Sequence, residues 1–509
     1  MKTLAAAAVP IDNRLQRRST LLWFLPLQAA AAFSVLAIVG GGQMLRTWLL
    51  GALLWLMGLP LLVSLEAGLL AMIVFEPLRG LLRRAQYLFL EYAAEDPIHV
   101  LTPIVTIFAL AALLRLRRLS ILHGAPLAGS VSILALIYIL EIFNPLQGGL
   151  LVGLAGALFM LPPLIWFYFG QSIDDKFLTR ALQIMIALGL LTSLYGVYQL
   201  TVGYPAFEQY WIDNTEFYES IGVGHVQRAL ATFSSAEEWG RYAEIGAIAA
   251  FGFVGGAKTL RARIGWLLCG AALLGGVLLT GERTAVFGLI VGVATLILLG
   301  ARTLPSAFIR GGLVLLPIVL VVVFVAPPSD EDMWSKGEDE TVSTLLSHTQ
   351  RGTLKPADEE SFQVRLENWE YLLTDVIPYR PLGMGLGAGS LGSARFSRDG
   401  DLPPVDSFVL IVAITSGIPA ALLFICILAR ATWLSWTMAR ADEADSQLAT
   451  VKRTAAALMP ALILNSIFGL TFTLYSVAPI AWLLIGWIGA ESLRAKQPQM
   501  APATEHFEI

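Results

Sequence analysis

The stretch Asn13–Gly40, NRLQRRSTLLWFLPLQAAAAFSVLAIVG, sets Arg14, Arg17 and Arg18 directly before a long apolar run. It can be read as a secretory leader or as a first membrane helix. No convincing small-residue cleavage site closes the run, so the expectation is an uncleaved helix. Similar runs recur near 47–75, 98–114, 126–143, 149–169, 178–201, 242–257, 264–280, 284–300, 310–326, 407–429, 454–474 and 477–493. Most match the length that spans a bilayer. The 509 residues are 56% hydrophobic and 14% charged, with mean hydropathy +0.69. That is too little charge to clothe a soluble protein of this size. Only helices or closed barrels satisfy their backbone in lipid, and these runs do not alternate as barrel strands do. The expected fold is all-α: a polytopic helical membrane bundle of about 12–14 transmembrane helices with one large extracytoplasmic loop. The run at 47–75 is too long for one helix and contains Pro60, so it is expected to split.

Short basic loops orient the chain. Arg115, Arg117 and Arg118, then Lys258, Arg261 and Arg263, then Arg302 and Arg310, then Arg430, Arg440, Lys452 and Arg453 mark cytoplasmic sides. Both termini are then cytoplasmic, and two large loops, about 202–241 and 327–405, face outward. The second carries fourteen acidic residues against seven basic ones. Its opening PPSDEDMWSKGEDE has a solvated composition. Within SFQVRLENWEYLLTDVI, Phe362, Leu366, Trp369 and Leu373 recur at helical spacing and predict an amphipathic helix. Cys269 and Cys426 lie inside apolar runs and are expected to be buried packing residues, with no metal cluster. The net charge is −4; no nucleic-acid partner is expected.

Arg380–Gly392, RPLGMGLGAGSLG, places glycines at 383, 385, 387, 389 and 392. A nucleotide loop would need a preceding strand and a following helix with Lys-Ser/Thr, and neither is present. A compact turn is expected, with backbone N–H groups that could still approach a lipid-borne phosphate.

Four constellations could carry chemistry. In GHVQRALATFSSAEEWGRYAEIG, Arg228 precedes Thr232, Ser234 and Ser235, and Ser235 has the place of an N-cap. Arg228 either snorkels at the interface or binds an anion beside that helix start. In LLTGERTAVFGLIVG, Glu282 and Arg283 interrupt two apolar runs, either as a functional pair or as a headgroup hairpin. In RLENWEYLLTDVIPYRPLGMGLG, Arg365 and Trp369 share a helix face and Arg380 follows at the turn. In LPPVDSFVLIVAITSGIPAALLF, Asp406 and Ser407 stand at the mouth of a helix, where Asp also suits simple capping.

Together these motifs resemble the bacterial O-antigen ligase and polymerase superfamily. The elements are an arginine before small hydroxyls, a Glu-Arg-Thr hairpin, R-x-x-x-W…P-x-G-x-G-x-G, and a polar pair opening a helix that ends in Ser-Gly-Ile-Pro. The resemblance covers about 178–493, strongest over 365–418. It divides the chain into N-terminal transmembrane helices (1–177), a ligase/polymerase-like membrane domain (178–493, with the loop 327–405) and a cytoplasmic tail (494–509).

What the resemblance implies is a multi-pass glycosyltransferase of the bacterial inner membrane, acting at its outer face. The donor would be an oligosaccharide on undecaprenyl pyrophosphate. The acceptor would be a second glycan unit or a lipid, for surface polysaccharide or exopolysaccharide. No cofactor or metal is expected. Membrane lipid and other assembly proteins, such as a chain-length regulator, are the implied partners. By motif, Arg228 and Arg365 would bind pyrophosphate and Asp406 would serve as base for a sugar hydroxyl. Arg283, Arg380, Trp369 and Ser407 would contact substrate. Ligases of this family usually carry His-Asn where this chain has Asp406-Ser407, which shifts weight toward a polymerase; the exterior His225 and His348 are the alternatives. Two other classes fit the composition: a flippase of lipid-linked sugar, which would want charged or polar mid-span residues beyond Glu66, Glu141 and Asn465, and a non-catalytic assembly scaffold.

Overall fold

The computed structural model describes residues 44–93, 96–117, 125–215, 222–223, 226–301, 345, 360–388, 402–403, 405–441 and 446–495. The runs expected near 21–39 and 310–326, the acidic opening of the large loop, His225, His348 and the C-terminal tail lie outside the described residues. The protein is an all-α polytopic membrane protein. Beside its helices the described chain has only a two-residue hairpin, Gly222–Val223 against Val226–Gln227. Among the described residues, six helices are long and apolar enough to cross a membrane: Pro97–Leu114, Leu150–Ser172, Asp175–Thr201, Leu260–Leu279, Arg283–Gly300 and Phe408–Ala441.

Two compact units divide the chain, one of residues 1–75 and 93–119, the other of 76–92 and 120–509. In the first, α1 (Met44–Val63) packs on α3 (Leu101–Arg117). The long run splits as expected, but at Ser64 and not at Pro60. The Ser64 hydroxyl accepts the Ala67 N–H at 3.0 Å and so caps the start of α2 (Leu65–Ala85), whereas Pro60 is accommodated inside α1.

The second unit holds the C-terminal part of α2 and a bundle. Its helices are α4 (Ala128–Glu141), α5 (Leu150–Ser172), α6 (Asp175–Thr201), the short α7 (Ala206–Asn214), α8 (Ala236–Gly256), α9 (Leu260–Leu279), α10 (Arg283–Gly300), α11 (Glu360–Tyr371), α12 (Phe408–Ala441), α13 (Gln447–Ile467) and α14 (Ala478–Arg494). The central helix is α8, packed by α6, α9, α10 and α13. It is buried nearly all round, as a helix enclosed by others must be. Small residues permit the close approaches: Gly252 and Gly256 face Thr454 and Thr450 on α13, and Gly486 of α14 faces the Phe167 carbonyl of α5.

Because α8, α10 and α12 run opposite to α9 and α13, their ends sort into two groups. Ser235, Thr280–Glu282, Ser407 and Phe468–Leu470 meet at one end. Residues 256–263 and the start of α13, with Lys452, gather at the other, where Lys452 pairs with Glu491 at 3.4 Å. Lys258, Arg261, Arg263 and Lys452 thus lie away from the end that holds the sequence motifs.

The glycine stretch is a splint. Met384 N–H and Gly385 N–H donate to the carbonyls of Ile414 and Thr415 at 2.8 and 3.0 Å, and Leu386 N–H donates to Glu141 O at 3.2 Å. Helix α12 breaks at Gly417, whose φ is 86°, and Ile418 N–H donates to Pro381 O at 2.9 Å. A Cβ on Gly385 would lie 2.6 Å from the Gln147 side chain, and one on Gly417 would lie 2.6 Å from Pro381 O. The loop therefore satisfies the backbone groups freed where α12 breaks.

Two expectations change. Cys426 is exposed on the apolar flank of α12 and Cys269 is half-buried, both as free thiols, because each points outward from its helix. Trp239 is buried against Gly196, its Nε1 donating to Ser193 Oγ at 3.2 Å. The amphipathic helix buries a different face: Leu366 and Leu373 are exposed, while Leu372 and Val376 are buried. The face from Arg365 through Trp369 to Leu372 turns inward, and the wider π-helical turn at Leu372–Val376 shifts the helical phase of the residues after it.

Candidate functional site

The motif-bearing end of the bundle is held by side chains on several elements. Its first part is the loop 228–235. Gln199 on α6 accepts the N–H groups of Leu230 and Ala231 at 3.1 and 2.7 Å and donates to Ala231 O at 3.1 Å. Arg84 at the end of α2 donates to the carbonyls of Ala231 and Phe233 and to Glu208 at 2.7 Å. Glu208 is also bonded by Tyr195 at 3.0 Å and Gln199 at 2.8 Å. Tyr204 donates to Arg228 O and accepts the Leu230 N–H. The clamp holds Ala231 at a φ of 48°. Ser235 then caps α8, its hydroxyl accepting the Glu238 N–H at 3.1 Å.

Arg228 projects from this loop onto Glu282 in the α9–α10 turn, Nη1 to Oε1 at 2.8 Å, each side chain less than a fifth exposed. Sequence proximity offers Arg283 as the partner of Glu282; the fold instead supplies Arg228 from 54 residues upstream. Arg283 opens α10.

On the other flank, Arg365 of α11 reaches Asp406 ahead of α12, Nη2 to Oδ2 at 3.2 Å and Nε at 3.4 Å. This pair is more open, with 29% and 51% of the two side chains exposed. Trp369 stacks on Phe468, centroids 5.6 Å apart at 24°. Ser407 is buried and caps α12, its hydroxyl accepting the Leu410 N–H at 3.4 Å. Phe408 N–H is in turn tied to Gly469 O at 3.0 Å. Arg380 stands exposed on the turn after α11, without an ion pair among the described residues.

Glu237 joins the two flanks. Its Oε1 accepts the Leu470 N–H at 3.1 Å, next to the Gly469 that holds α12. One residue beyond its turn, Gly240 lies against Glu282. In the first turn of α8, ahead of the apolar stretch, burial pushes the Glu237 carboxyl above the ordinary carboxylate range. Arg241 and the Leu470 N–H act against this, while the charges of Glu282 and Asp406 add to it. The carboxylates of both flanks, Glu282 and Asp406, therefore act on Glu237. Among the described residues, Arg228 Nε and Trp369 Nε1 are buried here without a partner, and so is Arg241 Nε behind them. A buried donor of this kind is ordinarily met by water or by a ligand.

Behind the site Arg241, fully buried, donates to Asn465 Oδ1 and, at 2.6 Å, to Thr284 Oγ1; Asn465 donates to Glu244 at 2.8 Å. Asn465 is thus part of a network, and Glu141 is bonded by Asn144 at 2.7 Å. Neither is the isolated mid-span group that a transport path would use. Sequence reasoning missed Glu237, Arg241 and the Arg84–Glu208 clamp. The signal was present in EEWGRYAEIG, where Arg241 and Glu244 stand three apart inside an apolar helix, a costly placement in a membrane protein.

Residues 268–425 match the family model Wzy_C, described as O-antigen ligase, and the match supports the O-antigen ligase superfamily. The matched segment contains Glu282, Arg365, Trp369 and Asp406; Arg228 and Glu237 precede it. Among curated proteins, no sequence matches the chain.

Proposed function

From this O-antigen ligase-type segment and the site built around it, we propose that the protein is a glycosyltransferase that polymerises or ligates glycan units carried on undecaprenyl pyrophosphate. The observation that carries the reading is the convergence of Arg365 on Asp406 at 3.2 Å, beside Arg228 and two orphaned donors. Arginine forks suit a pyrophosphate, and a neighbouring carboxylate suits a hydroxyl acceptor.

The reaction follows from that pairing. The acceptor hydroxyl oxygen attacks the anomeric carbon of the donor sugar and passes its proton to Asp406. The bond from that carbon to the pyrophosphate oxygen breaks, and its electron pair leaves with the lipid pyrophosphate. Arg228 and Arg365 meet the charge growing on the phosphate, in a site already organised for it. The leaving group is activated, so the chemistry asks for no metal or cofactor. Trp369 offers its indole N–H to a sugar or phosphate oxygen. Arg283 and Arg380 are candidates for the outer phosphate or the lipid headgroup. The site would face outward from the bacterial inner membrane, with both termini in the cytoplasm. The basic residues at the opposite end of the bundle support that orientation.

Glycan length on a gel tests this, in cells deleted for the gene and complemented with wild type or Asp406→Ala. Single repeat units left on lipid would identify a polymerase with Asp406 in the site. A full ladder that stays on its carrier would identify a ligase. An unchanged ladder in both strains would overturn the reading.

A further inference from the structure

Both arginines assigned to the pyrophosphate already hold a carboxylate, Arg228 that of Glu282 at 2.8 Å and Arg365 that of Asp406 at 3.2 Å. A dianionic donor therefore competes with a carboxylate for each guanidinium fork. A carboxylate locked on arginine is also a poor acceptor for a hydroxyl proton. We propose that the donor binds by ion-pair exchange: its pyrophosphate takes Arg228 from Glu282 and Arg365 from Asp406, so that Asp406 becomes free to act as base only once the donor is in place. Glu282 is then a positioning residue. It keeps Arg228 aimed before the donor arrives and retakes it as the lipid pyrophosphate leaves. The inference rests on the reading above and adds an order, donor before acceptor.

The energetics favour exchange. The Arg365–Asp406 pair is open to solvent, and such pairs contribute little, while the Arg228–Glu282 pair is only partly open. Charge-assisted bonds from arginine to phosphate are stronger and bidentate. The pyrophosphate also satisfies Arg228 Nε, which the resting pair leaves without a partner. Arg241 behaves differently. It is buried and bonded to both Asn465 and Thr284, so it stays in place and keeps Glu237 beside the two exchanging pairs.

The test uses the purified full-length protein and inorganic pyrophosphate as probe, with folding checked by thermal unfolding. Removing the competing charge in Glu282→Gln should tighten pyrophosphate binding up to about fivefold, the upper value of a partly exposed pair. With lipid-linked glycan as substrate, its KM for donor should fall while kcat also falls, because product leaves more slowly. Loss of a mere brace would raise KM instead. Glu282→Asp, which keeps the charge, should return toward wild type. Asp406→Asn is the independent second variant: it should bind pyrophosphate more tightly while turnover is lost. If Glu282→Gln and Asp406→Asn both bind no more tightly than wild type, the exchange is overturned. If Arg228→Ala and Arg365→Ala bind pyrophosphate as wild type does, the assignment of the site itself has failed.

Discussion

Arg84→Ala is the sharpest probe of how the site is held. The Arg84 side chain is 1% exposed and that of Glu208 is 0% exposed. Arg84 serves Glu208 at 2.7 Å and the carbonyls of Ala231 and Phe233. The substitution strands a buried carboxylate that keeps only Tyr195 and Gln199, takes the Arg84 donor from Phe233 O, and leaves Ala231 O to Gln199 alone. Removing one partner of a buried pair costs about 3–5 kcal/mol. Ala231 sits at a φ of 48°, a left-handed conformation that costs about 1–2 kcal/mol. Without the clamp the loop relaxes to relieve it, and Arg228, three residues before, loses its aim at Glu282. Denaturation of the protein in detergent measures the cost, in a cycle with Glu208→Gln. The double variant should recover much of the loss, because no charge is left stranded. Glycan transfer should fail in both Arg84→Ala and the double, since the carbonyl clamps are gone. A single-variant cost below about 1 kcal/mol, the range of surface pairs, would refute the argument. So would a double variant whose loss equals the sum of the two singles.

Three further outcomes are expected. Gly417→Ala forces a Cβ to within 2.6 Å of Pro381 O at a φ of 86°. It should cost roughly 2–5 kcal/mol in strain and overpacking, and an unchanged melting temperature would contradict the splint. Arg365→Lys keeps the charge but not the fork, so the glycan ladder should remain largely lost; full length with lysine would count against bidentate phosphate binding. The Glu237 carboxyl holds its proton to higher pH in the folded protein than in the unfolded chain. The native state binds the extra proton, so stability should fall as pH rises from the ordinary carboxylate value through the raised one. Glu237→Gln mimics the protonated form and should flatten that decline in melting temperature; an unchanged slope would dismiss it.

Much of the fold was legible because lipid leaves the backbone few options. The apolar runs within the described residues became helical, that at 454–474 only as far as Ile467, and the cap at Ser235 stood where its hydroxyl placed it. The amphipathic helix existed as expected, yet its buried face did not follow the apolar residues. Leu366 and Leu373 stay exposed. The face was chosen instead by Asp406 and Phe468, which take Arg365 and Trp369. Glu237 and Arg241 were overlooked because an acidic first turn and a lone arginine have ordinary explanations until their partners are known.

By itself the sequence determined the class, the helices and their order, since hydrophobic length and capping are local properties. It also marked Arg228, Arg365 and Asp406, through residue types unusual beside apolar runs. Only the tertiary structure decided which charges meet. Arg228 finds Glu282 across 54 residues and Arg365 finds Asp406 across 41. Those pairings depend on α8, α10 and α12 ending at one level around a shared core, with the α11 segment docked there. No local pattern encodes that level; it follows from how close Gly252, Gly256 and Gly288 let neighbouring helices approach.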